Sequence, residues 1–587
     1  MFAESPTCAT LPPVPAPPLA APSAAVRAER GGRGWLGVAA LVYLAISLLL
    51  QHRALGDFAG SAIGRTSTDA TGFTWWLAHT AHALTTGTNP LVTDLQHYPV
   101  GVNALWNTAV PLLGVLLAPV TLTAGATAAF NGGMVLGPVV SGVAAAAALG
   151  GIVRSRVARA TAGALYAFSP FMVAHLQAGH LNLVWAVLPP VLLALAHRLF
   201  VRDLRRPWLL GALTGLALAA QTWLYTQTLA IGVLMLVVLA MVLAVRYPGR
   251  AADRLPALVE AGVSCLGVFA VLAGYAVYLL LAGPARPRAP LRSPEYGSAD
   301  LANTIAPTWL TAIRAVPAPI GMQGNLGEQG GYLGVAVLLL LLLTVLTCGT
   351  AAGIAAAVGA VAWVLELGPQ LFVAGEPTGV PLPWRALVKV PLLGEVEPVR
   401  LQVVVTLAVA VLAGLALDRV PRPVALVAVV AAMSWIPADA QRTTSAAVPA
   451  HPQLAGQVVE TWPRITGDWY GGADPLRAQI ASGFGYRLSG GYFLGADADH
   501  PLLLQSPWNR YQAGAALAQE WPTLAAPPDP AGAARDLREV GVTVVLVTPR
   551  PGEDPTPVLD WTRRVTGSEG VPLEGAWAFP LAATLHG

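Results

Sequence analysis

Apolar runs of seventeen residues or more recur through roughly the first 440 positions of this 587-residue chain. Each is long enough to cross a hydrocarbon layer of about 30 Å as a helix. Charged residues make up 11% of the sequence and mean hydropathy is +0.60, whereas a soluble chain of this length carries about 25% charge. The composition dictates a polytopic membrane protein, with the lipid bilayer as its first partner. A net charge of +3 on so long a chain gives no footprint for nucleic acid. Cys8 lies in the Pro- and Ala-rich first 33 residues, read as a disordered cytoplasmic tail. Cys265 and Cys348 lie in apolar runs, so neither a disulfide framework nor a cysteine metal site is expected.

Arg27, Arg30 and Arg33 precede the first apolar run, Gly34 to Leu50, and Gln51-His52-Arg53 closes it without a small-residue cleavage site. That pattern reads as a retained signal anchor with its N-terminus inside. Further arginines cluster at 154–159, 198–206, 246–254 and 419–422. Placing these short basic loops in the cytoplasm predicts helices near 34–51, 127–152, 160–174, 182–199, 208–224, 227–246, 257–283, 331–348, 351–371, 401–417 and 422–437. The fold class expected is therefore mainly α. It is a bundle of about 11 transmembrane helices over 34–437, N-terminus in and C-terminus out, followed by a small α/β extracytoplasmic domain over 438–587. Residues 105–122 are apolar, but Pro111 and Pro119 interrupt them and a crossing there would invert the arginines at 154–159; a re-entrant or interfacial helix is expected. The tail carries Trp462, Trp469, Tyr470, Trp508 and Trp521 and one buried-strand signal, Val540 to Val547, but no nucleophile elbow, phosphate loop or metal-ligand spacing.

With this parity every long polar loop lies outside, the largest being 52–126. Carboxylates, amides and indoles beside a membrane are costly to desolvate and mark function. Asp69 could serve as a general base towards a hydroxyl, with burial raising its pKa into the working range; alternatively Thr68 or Asp69 caps the helix that Phe73-Thr74-Trp75-Trp76 begins. Asp94, His97 and Tyr98 form a second cluster. Asp94 could share a divalent cation with Asp69 or hold a sugar hydroxyl, or close an Asx turn before Pro99-Val100-Gly101.

Further along, His175 and His180 lie in an outer turn after Phe168-Ser169-Pro170. Five residues apart, they are poor partners on one helix face, so a hydrogen-bonding lid is expected rather than a zinc pair. Gln221 and Gln227 flank Trp223 and Tyr225 at another outer turn, as in a sugar-sized pocket or an aromatic belt. Asp300 and Glu328 add acids to the same face. Arg400, at the outer mouth of a late helix, departs from the inside preference of arginine, and its fork suits a phosphate at headgroup depth. Pairing with Glu395 or Glu397 is the structural alternative.

These elements, in this order, resemble the GT-C-type membrane glycosyltransferases that use polyprenyl-phosphate-linked sugars. The residues that carry the likeness are the early Asp69; Asn89-Pro90, Asp94, His97-Tyr98-Pro99 and Gly101-Val102-Asn103; Phe168-Ser169-Pro170, His175, Gly179-His180 and Asn182; and Pro381 to Arg400, with Leu401 where an aromatic is more usual. The likeness covers about residues 35–437. It implies a multi-pass plasma (inner) membrane enzyme of the cell envelope with an outer active face and a polyprenyl-phosphate sugar as donor. The acceptor would be a glycan, lipid or protein, transfer would invert the anomeric centre, and a divalent cation such as Mg or Mn would be the one cofactor. Asp69 would be the base and Arg400 the phosphate anchor. The rival readings are a transporter or lipid flippase, which would keep its polar groups at mid-membrane on broken, repeated helices, an outer-leaflet acyltransferase using His175 or His180, and a non-catalytic scaffold.

Overall fold

The computed structural model describes residues 34–582 apart from 65–66, 108, 202–205, 312–320, 391, 420–430, 432, 437–442, 446–447, 467–471, 521–528 and 551. The expected tail 1–33, most of the crossing expected at 422–437, and Trp469, Tyr470 and Trp521 lie outside the described residues. The described chain is mainly helical. In order the principal helices are α1 Gly34–Leu50, α2 Ser67–Thr86, α3 Pro111–Ala124, α4 Ala126–Ala148, α5 Arg156–Ala167, α6 Pro170–Ala178, α7 Leu188–Val201, α8 Pro207–Thr222, α9 Thr226–Arg246, α10 Pro248–Ala282, α11 Val335–Thr347, α12 Thr350–Glu366 and α13 Gln402–Arg419. Among the described residues, five segments are long and apolar enough to cross a membrane: Ala126–Gly151, Leu181–Val201, Thr226–Arg246, Pro248–Ala282 and Pro398–Arg419.

Two features shape the bundle. Helix α13 is its axis, since Gln402 through Ala416 are all buried, packed against α5, α11 and α12. Helices α8 and α10 meet backbone to backbone at Gly211 and Gly215, where an added Cβ would stand 2.0 and 2.4 Å from the carbonyl oxygens of Ala261 and Cys265. Small residues four apart allow this approach in lipid, where dispersion and not hydrophobicity holds helices together.

Local chemistry changes two expected elements. The single helix expected at 160–174 is two, α5 and α6, because Pro170 cannot continue a helix and Ser169 caps the new one, accepting from the Met172 amide. The loop expected at 52–126 contains a 20-residue helix, α2, whose aromatic face (Phe73, Trp75, Trp76) is buried. α3 has Pro111 at its start and Pro119 inside it; at 14 residues it is about 21 Å long, short of the ~30 Å core.

The tail folds around a five-stranded mixed sheet built from β1 Val458–Trp462, β2 Arg487–Leu488, β3 Val544–Val547, β4 Val571–Leu573 and β5 Ala576–Pro580. The order is β4-β5-β3-β1-β2, with β1 parallel to both neighbours and β5 antiparallel to both of its own. This sheet does not hang apart from the bundle. Trp75 of α2 donates its indole N–H to Gln479 Oε1 (2.7 Å), Arg477 Nε donates to Thr71 Oγ1 (3.0 Å), and Ser61–Ile63 pairs antiparallel with Thr443–Ser445. Segment 489–495 is thereby pressed against the first turn of α2.

Candidate active site

Asp69 stands in the first turn of α2, inside the helix rather than capping it. Its two oxygens are committed elsewhere. Oδ1 accepts from the Tyr492 hydroxyl at 2.7 Å, and Oδ2 lies 3.3 Å from His180 Nε2. The side chain remains 38% exposed, so a substrate reaches it. Burial by itself would raise its pKa, but the hydrogen bonds and charge of His180, the Tyr492 hydroxyl and the Arg292 guanidinium outweigh that and hold it below the ordinary 3.8. This corrects the expectation of a raised pKa: the carboxylate is ionised at every physiological pH.

His180 reaches Asp69 because of how α6 ends. Gly179 is left-handed (φ +77°), the His180 amide donates to His175 O (3.0 Å) and the Gly179 amide to Leu176 O (3.4 Å). This is a Schellman closure, which brings the residue after the glycine back over the residue five before it. His175 and His180 therefore meet, Nδ1 to Nδ1, at 3.0 Å. The expectation that the two histidines are poor partners fails for that reason: the helix stops between them. Burial pushes the His175 pKa down to about 3, so its ring is neutral. One proton lies between the two Nδ1 atoms, carried by either ring, and His180 Nε2–H donates to Asp69.

Glu328 closes the other side. His175, His180 and Glu328 each offer a ligand atom within 4.8 Å of the others, the one such trio found among the described residues. Two imidazoles and a carboxylate suit a first-row divalent cation, and the neutral His175 has a lone pair to give. Beyond it, Arg400 Nη2 meets Glu328 Oε1 at 3.1 Å and Glu397 Oε2 at 2.7 Å. Arg400 Nη1 donates to Gln227 Oε1 at 2.7 Å and to the Tyr225 hydroxyl. Burial favours the neutral acid of Glu328, but the Arg400 guanidinium outweighs it and holds the carboxyl well below the usual range. Glu397 in turn binds Arg292 Nη1 at 2.7 Å, and Arg292 lies over the Tyr296 ring at 4.4 Å, 45% exposed. Polar groups from positions 69, 175, 180, 328, 397, 400 and 492 thus form one continuous file.

Other expected site residues take different places. Asp94 pairs its carboxylate with Arg487 Nε at 2.9 Å and ties the outer segment to the tail. Asp300 is a loop staple: its oxygens accept the amides of Ala302, Ala374, Gln323 and Gly375 at 2.6–3.2 Å. Gln221 Nε2 donates to Tyr225 O (3.1 Å) and fixes the turn before α9. His97 and Tyr98 line a separate cavity against the tail. Of the expected structural partners of Arg400, Glu397 is one; Glu395 instead accepts from the Leu291 amide at 3.1 Å. Sequence reasoning missed Tyr492 and Arg292. Arg286, Arg288 and Arg292 occupy the loop that the arginine parity puts on the same face as Arg400.

The contacts on Asp69 set an expected pH behaviour. A carboxylate with a depressed pKa keeps its function above that pKa and loses it as pH falls through it; the stability its contacts add is likewise complete above 3.8 and lost below. Tyr492→Phe removes one hydrogen bond from the charged form, so the acidic limb of the activity profile moves to higher pH. A profile of kcat/KM against pH measures this.

Residues 70–374, just over half of the chain, match the family described as a domain of unknown function, DUF6311. The chain belongs to the DUF6311 family. The matched stretch takes in His175, His180, Arg292 and Glu328, begins one residue after Asp69, and ends before Glu397, Arg400 and Tyr492. No curated protein matches the sequence. Among solved structures, the cryo-EM structure of arabinofuranosyltransferase AftD from Mycobacteria superposes with a TM-score of 0.52 at 18% identity, over 94% of this DUF6311 chain and 40% of that one. The archaeal oligosaccharyltransferase AglB from Archaeoglobus fulgidus, in complex with an inhibitory peptide and a dolichol-phosphate, gives 0.43 at 12%, over 94% of this chain and 75% of the other. The chain thus spans 40% of the length of AftD. What the DUF6311 chain shares with AftD is a fold, the GT-C-type architecture of a multi-pass membrane protein.

Proposed function

We propose that this DUF6311 protein is an integral membrane glycosyltransferase that moves a sugar from a polyprenyl-phosphate donor to an acceptor outside the cytoplasm, with inversion. The observation that carries this reading is the convergence of Asp69, the two histidines, Glu328 and Arg400 in one file whose Asp69 end is 38% exposed. Asp69 takes the proton of the acceptor hydroxyl. The freed oxygen bonds to the anomeric carbon, the bond from that carbon to the phosphate oxygen breaks, and the electron pair leaves on the polyprenyl phosphate. His180, held by His175, keeps the Asp69 carboxylate oriented and ionised. Holding both substrates in line supplies the orientation term. Arg400 and the more accessible Arg292 offset the charge that develops on the departing phosphate. His175, His180 and Glu328 would hold a divalent cation, His180 through the Nδ1 that otherwise faces His175; when bound, the cation would add positive charge beside that phosphate. The short basic loops support an outside position for this face of the membrane.

Membranes from cells that overproduce the protein, supplied with a polyprenyl-phosphate carrying a radiolabelled pentose or hexose, test the reading. Label moves from the lipid to an extracytoplasmic acceptor; label that stays on the lipid with every donor contradicts it. Chelation provides a further check. Transfer is expected to fall at least tenfold in EDTA and to return with Mn or Mg, but not to return in His175→Ala. Activity indifferent to the chelator would restrict the two histidines to orienting Asp69.

The His180–Asp69 contact favours one second reading, an outer-leaflet acyltransferase with His180 as base and Asp69 as its partner. There His180→Ala would abolish turnover and Asp69→Asn would be mild.

A further inference from the structure

Where the outer segment meets the tail, His97, Glu460, Arg464, Asp497, Asn509 and Gln512 line an open cavity of about 330 Å³. That is at the small end of ligand sites, which run from about 300 to 1,000 Å³. The walls are polar and incompletely satisfied. Arg464 is 6% exposed, yet its Nε and Nη1 make no hydrogen bond among the described residues. Gln512, 1% exposed, spends its amide N–H groups on Glu460 Oε1 and on Thr461 O (2.8 Å), and leaves Oε1 without a donor. Glu460 is held in place by the Ser489 hydroxyl (2.8 Å) and Asn509 Nδ2 (3.3 Å). Buried donors and acceptors left unmet are costly, and here they belong to residues that line one cavity.

The pattern selects a ligand class. A hydroxyl both donates and accepts, so a polyol meets Arg464 and Gln512 at once. One guanidinium faces Glu460, Asp497, Asp499 and Glu539, a balance that repels anions and disfavours a phosphate or a uronate. Trp508, between lining residues Pro507 and Asn509, lays its ring 4.6 Å from the Arg464 guanidinium carbon and is 59% exposed. A large apolar plane open to water beside polar groups suits the C–H face of a sugar.

We propose that this cavity is a glycan subsite that takes one uncharged sugar residue, with Arg464, Gln512 and Glu460 reading its hydroxyls and Trp508 its apolar face. Ser489 and Gly490 line one wall, and Tyr492, two residues further on, touches Asp69. A residue bound here therefore belongs to the acceptor, at a position removed from the reacting end. That last clause rests on the glycosyl-transfer reading; binding itself does not.

Full-length protein in nanodiscs is titrated with neutral hexose and pentose oligosaccharides and with uronate oligosaccharides, following tryptophan fluorescence and calorimetric heat. A neutral oligosaccharide is expected to bind, Trp508→Ala to weaken it at least tenfold without a change in thermal midpoint, and Glu460→Gln to weaken it too. Binding by no neutral oligosaccharide, stronger binding of uronates, or wild-type binding by both Trp508→Ala and Glu460→Gln overturns the subsite. If the subsite fails while Asp69→Asn still abolishes transfer, the enzyme reading survives alone; if binding behaves as expected and Asp69→Asn transfers normally, the subsite survives alone.

Discussion

Asp69→Asn is expected to lower sugar transfer by roughly 10³-fold, within the range of about 10²–10⁴ that a positioned general base contributes, with little change in stability. An amide keeps the shape of the carboxylate; its one oxygen accepts from either Tyr492 or His180 and its NH2 stands where the other oxygen was, at a half-exposed site, so the fold has little to lose. What disappears is the site that takes the acceptor's proton. The pKa directions sharpen the expectation. Because Asp69 is held below the ordinary carboxylate range, it is a weak but permanently available base, and the proton it accepts must pass on as the product leaves. His180 at 3.3 Å is the adjacent group able to share it. Radiolabel transfer in membranes, with protein amount and thermal midpoint matched to wild type, measures the effect. Activity within threefold of wild type would remove Asp69 from the chemistry.

Arg400→Met is expected to be the most destabilising single change in the site. The guanidinium is buried against Glu328 and Glu397, themselves mostly buried, and against Gln227 and Tyr225. Removing it leaves Glu328 without its arginine partner and Glu397 with only the half-exposed Arg292. Breaking a buried pair in this way costs about 3–5 kcal/mol. By contrast Arg292, 45% exposed, forms a surface pair worth roughly 0–1 kcal/mol, so Arg292→Met should weaken turnover while barely moving the thermal midpoint. Adding Glu328→Gln to Arg400→Met should recover part of the loss, since the two changes share one network. Thermal unfolding in detergent follows all three. A midpoint for Arg400→Met equal to that of Arg292→Met would show that the buried network does not hold the mouth of α13 in place.

Much of the membrane domain was legible because bilayer crossing depends on length and hydropathy, and both are local properties. The break between α5 and α6 was legible too, in Ser169-Pro170, had cap chemistry been weighed against hydropathy. The histidine pair shows the same lesson at finer scale. A spacing of five is wrong for a helix face but right for a helix that ends in between, and Gly179 was the signal that it does. Asp94 and Asp300 misled for the opposite reason. An acid on a functional face resembles a ligand until its partners are known, and Arg487 and a ring of backbone amides are tertiary facts that no local pattern announces. Tyr492 was hidden most deeply, since it lies 423 residues from Asp69 in a tail whose sequence carries no catalytic pattern. Arg292 was overlooked because parity reasoning attends to arginines that fix the inside and passes over those left outside.

A cryo-EM structure of the protein with a polyprenyl phosphate bound tests most directly the claim that one outward site serves both donor and acceptor. The expected result is phosphate density between the His175–His180–Glu328 trio and Arg292 or Arg400, within reach of a sugar whose anomeric carbon faces Asp69. Density for the phosphate against the arginines at 154–159 or 246–254, with the file from Asp69 to Arg400 unchanged, would contradict it.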